Sequence, residues 1–148
     1  MKEILRRQFK QYIKEHNPDL LAVLNEAGRL EEFLEENLLS VDELLDRLGE
    51  KQVLPARILE QCLEELTRPL RPSRYHYCEE LLKTQFPGWY QQIIKDGLVQ
   101  LELIGFISQA DSLFDELHFS EQSRDLPLIR YAVTGYMYEF MKNKNNGH

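Results

Sequence analysis

The amino-acid sequence predicts an all-α protein of seven to nine helices, arranged as a compact bundle of two closely packed subdomains. Three observations predict it. Apolar residues return every third or fourth position along nearly the whole chain, the spacing that places them on one face of a helix. Helix-starting and helix-stopping residues punctuate that pattern at intervals of about ten to twenty residues. A doubled proline signal, Pro69 and Pro72, falls where the composition changes.

The first stripe is Ile4, Leu5, Phe9, Tyr12 and Ile13, which stops before Asn17-Pro18. Asn17 suits an N-cap with Pro18 at the first helical position, opening a helix through Leu20, Leu21, Val23 and Leu24. Gly28 suits its end. Leu30, Phe33, Leu34 and Leu38 continue the pattern. Ser40-Val41-Asp42-Glu43 reads as a capping box, with Leu44, Leu45 and Leu48 behind it and Gly49 as the terminator. Pro55 opens a helix that carries Ile58, Leu59, Cys62, Leu63 and Leu66 on one face, and Pro69 must stop it.

Arg68-Pro69-Leu70-Arg71-Pro72-Ser73 is an extended connector. Of fifteen aromatic residues, only Phe9, Tyr12 and Phe33 come before it. The reading is therefore a leucine-rich acidic subdomain over 1–68, and an aromatic-rich subdomain over 69–141 sharing the same core. A disordered tail is expected over 142–148, which has nothing to bury.

Beyond the connector, Ser73 caps a helix bearing Tyr77, Cys78, Leu81, Leu82 and Phe86. Pro87-Gly88 breaks it, and Trp89, Tyr90, Ile93 and Ile94 form a short helix that ends by Gly97. Residues 98–107 alternate as a strand would. However, Leu98, Leu101, Ile104, Ile107, Phe114 and Leu117 also form a five-turn helical stripe, and that length favours helix. A polar loop follows from His118 to Arg124. Asp125 then caps a last helix whose inner face is Ile129, Ala132, Val133, Tyr136, Met137 and Phe140. Gly105 and Gly135 sit inside helices, where glycine costs about 1 kcal/mol relative to alanine. Close packing of the two long helices explains them most simply, with Ala132 on the same small face as Gly135; a ligand against the backbone is the alternative.

Charge limits the function classes. The chain has 148 residues and a formal net charge of −7. Residues 1–70 hold 10 basic and 15 acidic side chains, and the remainder hold 8 and 10. That balance disfavours nucleic acid and anionic lipid, both of which select basic surfaces. No run approaches the roughly 18–20 apolar residues of a membrane span. The N-terminus shows no signal-peptide pattern, so a cytoplasmic protein is expected. Cys62 and Cys78 lie within apolar patterns and read as buried thiols in a reducing compartment, with a bridge between them left open.

The sharpest local feature is the basic cluster Arg68, Arg71, Ser73, Arg74 and Tyr75, the candidate anion- or partner-binding site. Helix N-termini and arginine forks both suit phosphate, and tyrosine can stack on an unpaired base. The competing reading is structural, with Arg74 paired to Glu79 or Glu65 and the arginines clamping the subdomains. The acidic run Glu31, Glu32, Glu35 and Glu36 could imitate phosphate spacing as a decoy, although a solvated helix face explains it more simply. No metal-ligand spacing, nucleophile elbow or phosphate-cradling glycine loop is present, so neither a cofactor, a metal nor an enzymatic activity is expected.

Three segments, Leu66–Tyr75, Leu113–Glu121 and Ile129–Gly135, resemble a family of small uncharacterised proteins carried on bacterial conjugative transposons. The likeness extends over about residues 25–140 and is most specific after Arg68; Pro87-Gly88-Trp89 departs from it. The resemblance implies an accessory protein of a mobile element and assigns no activity, cofactor or site residue. The expected function is thus non-catalytic interaction or regulation with a protein partner. Self-association is open, because Trp89, Tyr90, Tyr131 and Tyr138 exceed what one small core needs. Nucleic-acid binding through residues 68–77 and an acidic decoy are the alternatives.

Overall fold

The computed structural model describes residues 1–146. Among them it shows nine α-helices and no strand. The chain divides into two compact units, Met1–Arg71 and Pro72–His148, the break falling inside the proline connector.

The first unit contains α1 (Lys2–His16), α2 (Pro18–Ala27), α3 (Leu30–Leu39), α4 (Asp42–Glu50) and α5 (Pro55–Thr67), then a 3₁₀ turn, Arg68–Leu70. Helix α1 lies against α2, α3 and α5, and α4 packs on α5. Leu5, Phe9 and Ile13 of α1 are fully buried with Leu34 of α3 and Cys62 of α5. The rings of Phe9 and Phe33 stack at 6.2 Å. At this depth each large apolar side chain contributes about 1.5–3 kcal/mol.

Helix α2 ends at Gly28, whose φ of 67° accommodates the left-handed turn, with Arg29 N–H donating to the Leu24 carbonyl at 2.9 Å. Two other predicted boundaries differ. Asn17 occupies the N-cap position without capping; its side-chain amide instead donates to the Leu70 carbonyl at 3.3 Å. Ser40 stays in helical backbone as the last residue of the α3 cap, so its hydroxyl turns back to the Asn37 carbonyl at 2.5 Å and no capping box forms. Val41 takes the N-cap position of α4.

Gly49 does not stop α4 either. The chain turns at Gln52, which holds a φ of 56°. Gln52 N–H donates to the Gly49 carbonyl at 3.1 Å and Val53 N–H to the Leu48 carbonyl at 3.2 Å. This pair of bonds is the left-handed helix ending usually built on glycine, here built on glutamine.

The second unit contains α6 (Arg74–Gln85), α7 (Pro87–Lys95), α8 (Val99–Glu116) and α9 (Pro127–Asn146). Helix α6 packs against α7, α8 and α9, and α8 against α7 and α9. The core combines Cys78, Leu81 and Leu82 with Leu103, Phe106, Ile107, Ala110 and Phe114, and with Ile129, Val133 and Met137. Residues 99–107 are helical, as the five-turn stripe predicted. Ile107 and Phe114 of that stripe are buried as expected, but Leu101 is exposed, and Leu103 and Phe106 also point inward.

The loop after α8 is organised by its own side chains. His118 adopts a φ of 52°, and Phe119 N–H donates to the Phe114 carbonyl at 3.1 Å, repeating the ending seen at Gln52. The Phe119 ring packs edge-on against Phe114 at 4.9 Å and Tyr77 at 4.8 Å. Ser123 Oγ donates to the His118 carbonyl at 3.0 Å. Helix α9 starts at Pro127, two residues after Asp125, so Leu126 rather than Asp125 accepts the first-turn bond, from Arg130 N–H at 3.1 Å. At the other end the expected tail is helical through Asn146, and Lys144 Nζ donates to Glu102 Oε1 at 2.8 Å. Residues 147–148 of that tail lie outside the described residues.

Candidate functional site

The basic residues fall in both units, Arg68 and Arg71 after the end of α5 and Ser73, Arg74 and Tyr75 at the start of α6. Ser73 takes extended backbone (φ −67°, ψ 120°), and its Oγ accepts the His76 N–H at 3.1 Å, an N-cap as predicted. Pro69 and Pro72 prevent continuous helix here, so Arg68 falls in the 3₁₀ turn, Arg71 in extended backbone and Arg74 at the first position of α6.

Each guanidinium meets carboxylate. Arg68 Nη2 lies 2.8 Å from Glu65 Oε1, an exposed pair one turn apart. Arg71 Nη2 donates to Glu64 Oε1 at 2.7 Å and to the Glu64 carbonyl at 3.3 Å, satisfying an acceptor in the last turn of α5. Arg74 reaches α8 rather than Glu79 or Glu65. It donates through Nη1 to Asp111 Oδ1 at 2.8 Å and through Nη2 to Asp115 Oδ1 at 2.7 Å. The two aspartates stand four residues apart, hence on one face of α8. The Arg74 guanidinium also lies 5.1 Å from the Phe114 ring centroid. Burial would weaken the charge on Arg74, but the hydrogen bonds to Asp115 and Asp111 outweigh it and hold the group above its usual value.

Tyr75 is 8 % exposed and belongs to the core of the second unit, so its face is not presented to a base. The cluster thus brings Arg68 and Arg71 onto α5, Arg74 onto α8, and Tyr75 inside. Chemically it is a set of ion pairs that fastens helix ends. The acidic run is partly neutralised in the same way: Arg6 pairs with Glu31 and, at 3.3 Å, with Glu35, while Arg29 pairs with Glu32 at 3.3 Å.

Both cysteines are free and buried. Burial, and secondarily the Glu65 carboxylate, pushes the Cys62 thiol up, which disfavours the nucleophilic thiolate. Among the described residues no group of three or more His, Cys, Asp or Glu side chains could hold a metal ion. No described helix is long and apolar enough to cross a membrane.

A second surface stands out on α9. Its inner face is Ile129, Val133, Met137 and Phe140, but Tyr136, expected inside, is exposed and donates its hydroxyl to the Gln109 carbonyl at 3.2 Å. On the outer face Leu128 is 71 % and Tyr131 73 % exposed, with Tyr138 further along. Tyr138 joins Phe86 and Trp89 in a ring cluster with centroids 6.3 and 6.0 Å away. Gly105 would bring a Cβ no nearer than 3.9 Å to Phe140, and a Cβ on Gly135 would meet nothing within 4 Å. Close helix packing therefore does not account for Gly135.

No protein-family model, curated protein or solved structure matches the chain.

Proposed function

We propose that the chain is a non-catalytic interaction protein that engages a protein partner through the outer face of α9. The observation that carries this reading is the exposure of Leu128 and Tyr131 on a helix whose opposite face is already fully used by the core. Contiguous apolar and tyrosine-rich surface is characteristic of protein interfaces. The setting proposed, a cytoplasmic accessory of a bacterial mobile element, rests on the sequence resemblance alone.

The basic cluster supports this reading by being occupied. Binding a nucleic-acid phosphate at Arg71 or Arg74 would require exchanging carboxylate partners already held at 2.7–2.8 Å. A protein with a net charge of −7 would also have to approach a polyanion.

The test is recovery from a bacterial lysate with the wild-type chain and with Tyr131→Glu, scored for both protein and nucleic acid. Recovery of a protein that the substitution abolishes is the expected result. Equal recovery by both chains would refute a role for α9. Salt-sensitive recovery of DNA that Arg71→Ala abolishes would replace the reading with nucleic-acid binding.

A further inference from the structure

Helix α9 has two apolar faces; its own unit uses one in full, and of the other only Tyr138, which lies beside Phe86 and Trp89. Along the other, Leu128, Tyr131, Gly135, Tyr138 and Lys142 succeed one another at helical spacing, with Leu126 just before the helix. Gly135 is exposed and a side chain there would enter open space. Its cost of about 1 kcal/mol relative to alanine is offset by nothing in its own chain.

We propose that this face is covered by α9 of a second copy of the chain, the two helices crossing antiparallel about a two-fold axis at Gly135. This rests on the reading of α9 as an interaction surface and names its occupant. A two-fold interface must be complementary to itself, residue for residue. The stripe meets that condition to within one residue. Tyr131 and Tyr138 flank Gly135 at four residues before and three after, and Leu128 and Lys142 stand seven residues to either side. The symmetry then lays Tyr131 of one copy beside Tyr138 of the other, and the Leu128 side chain along the aliphatic stem of Lys142. A glycine at the crossing point lets the backbones approach, since interaxial distance is set by the side chains at the contact.

Charge selects the antiparallel arrangement. Exposed Asp125 precedes α9 and Lys142 lies near its far end. Antiparallel crossing about Gly135 sets each Lys142 beside Leu128 of the other copy, three residues from that copy's Asp125, whereas parallel crossing would set lysine beside lysine and aspartate beside aspartate. The area sets the strength. Leu126, Leu128, Tyr131 and Tyr138 are 52, 71, 73 and 44 % exposed. At roughly 150–200 Å² for a side chain of this size they offer about 400 Å² per copy. A standard stable interface takes about 800 Å² per partner, so the dimer is weak and depends on concentration.

The experiment is sedimentation equilibrium of the full chain from about micromolar to about millimolar concentration. The mass should rise from 17.6 kDa toward twice that value. Tyr131→Glu and Gly135→Leu should each weaken association about tenfold or more. Leucine is a better helix former than glycine, so Gly135→Leu should also raise the melting temperature, a combination that a purely structural glycine would not produce. Asp125→Lys and Lys142→Glu should each weaken the dimer, and the double exchange should restore it. A monomer at every concentration overturns the proposal, and so does association unchanged by Tyr131→Glu in a chain with wild-type circular dichroism. If the chain is monomeric but Tyr131→Glu still loses a protein from lysate, self-association fails while α9 remains an interaction surface.

Discussion

Replacing Arg74 by Met separates a structural clamp from a ligand site. Methionine keeps most of the apolar stem over Phe114 and removes the charge. The lost contacts are two aspartate pairs at 2.8 and 2.7 Å and the ring contact at 5.1 Å. Asp111 and Asp115 are 53 % and 70 % exposed, so each pair falls in the solvent-screened class, about 0.2–1 kcal/mol. The cation–ring contact adds about 0.5–1 kcal/mol. Together these amount to about 1–3 kcal/mol. For a cooperative unit of this size, 1 kcal/mol moves the melting temperature by about 4–8 °C. Thermal melts at low and high salt measure it, with Arg68→Ala as the control, since Arg68 holds only an exposed pair with Glu65. Arg74→Met should lower the melting temperature by several degrees, and less in high salt, while Arg68→Ala should change it by under about 0.5 kcal/mol equivalent. An unchanged melt for Arg74→Met, or an equal loss for Arg68→Ala, would refute the reasoning.

Three further outcomes are expected. Ser73→Ala removes the hydroxyl that accepts the His76 N–H and should cost about 1 kcal/mol by chemical denaturation, with Ser40→Ala far less harmful because Ser40 caps nothing. Gln52→Gly and His118→Gly each place glycine in a left-handed conformation and should stabilise by up to about 1 kcal/mol in the same assay. Alkali should destabilise the fold: Cys62 and Tyr77 are both held above their usual values by burial. Groups raised in this way contribute fully below their unfolded pKa values, about 8.5 for the thiol and about 10 for the phenol, and lose that contribution as pH rises through the folded values. Cys62→Ala should flatten the first part of that decline in urea melts repeated from pH 7 to 11, whatever its cost at pH 7.

The helices were legible because periodicity is a local property. Residues 98–107 illustrate both the strength and the limit of that signal: their length specified helix and Ile107 faces inward as expected, but packing on α6 and α9 left Leu101 outside and brought in Leu103 and Phe106. Glycine predicted the ending at Gly28 and misled at Gly49, because α4 runs on to Glu50 and its left-handed ending falls on Gln52. The Ser40 pattern failed because α3 and α4 nearly abut, leaving Ser40 in helical backbone. The partners of Arg74 are 37 and 41 residues away in sequence. The one sequence sign of them was the four-residue spacing of Asp111 and Asp115, two carboxylates on one helix face in want of a cation. On α9, both faces are apolar, so a search for one buried stripe had no means of choosing between Tyr131 and Tyr136.

Asn17 gives the end of the first unit a particular status. Its side-chain amide is buried and donates to a carbonyl 53 residues later, in the turn that looks like linker. Residues 68–70 are therefore a lid fastened onto the α1–α2 corner, and a truncation made at the first proline would strip it away. The lost hydrogen bond alone would then cost about 0.5–1.5 kcal/mol. Any excised first half needs Leu70, which both accepts this bond and packs against the core.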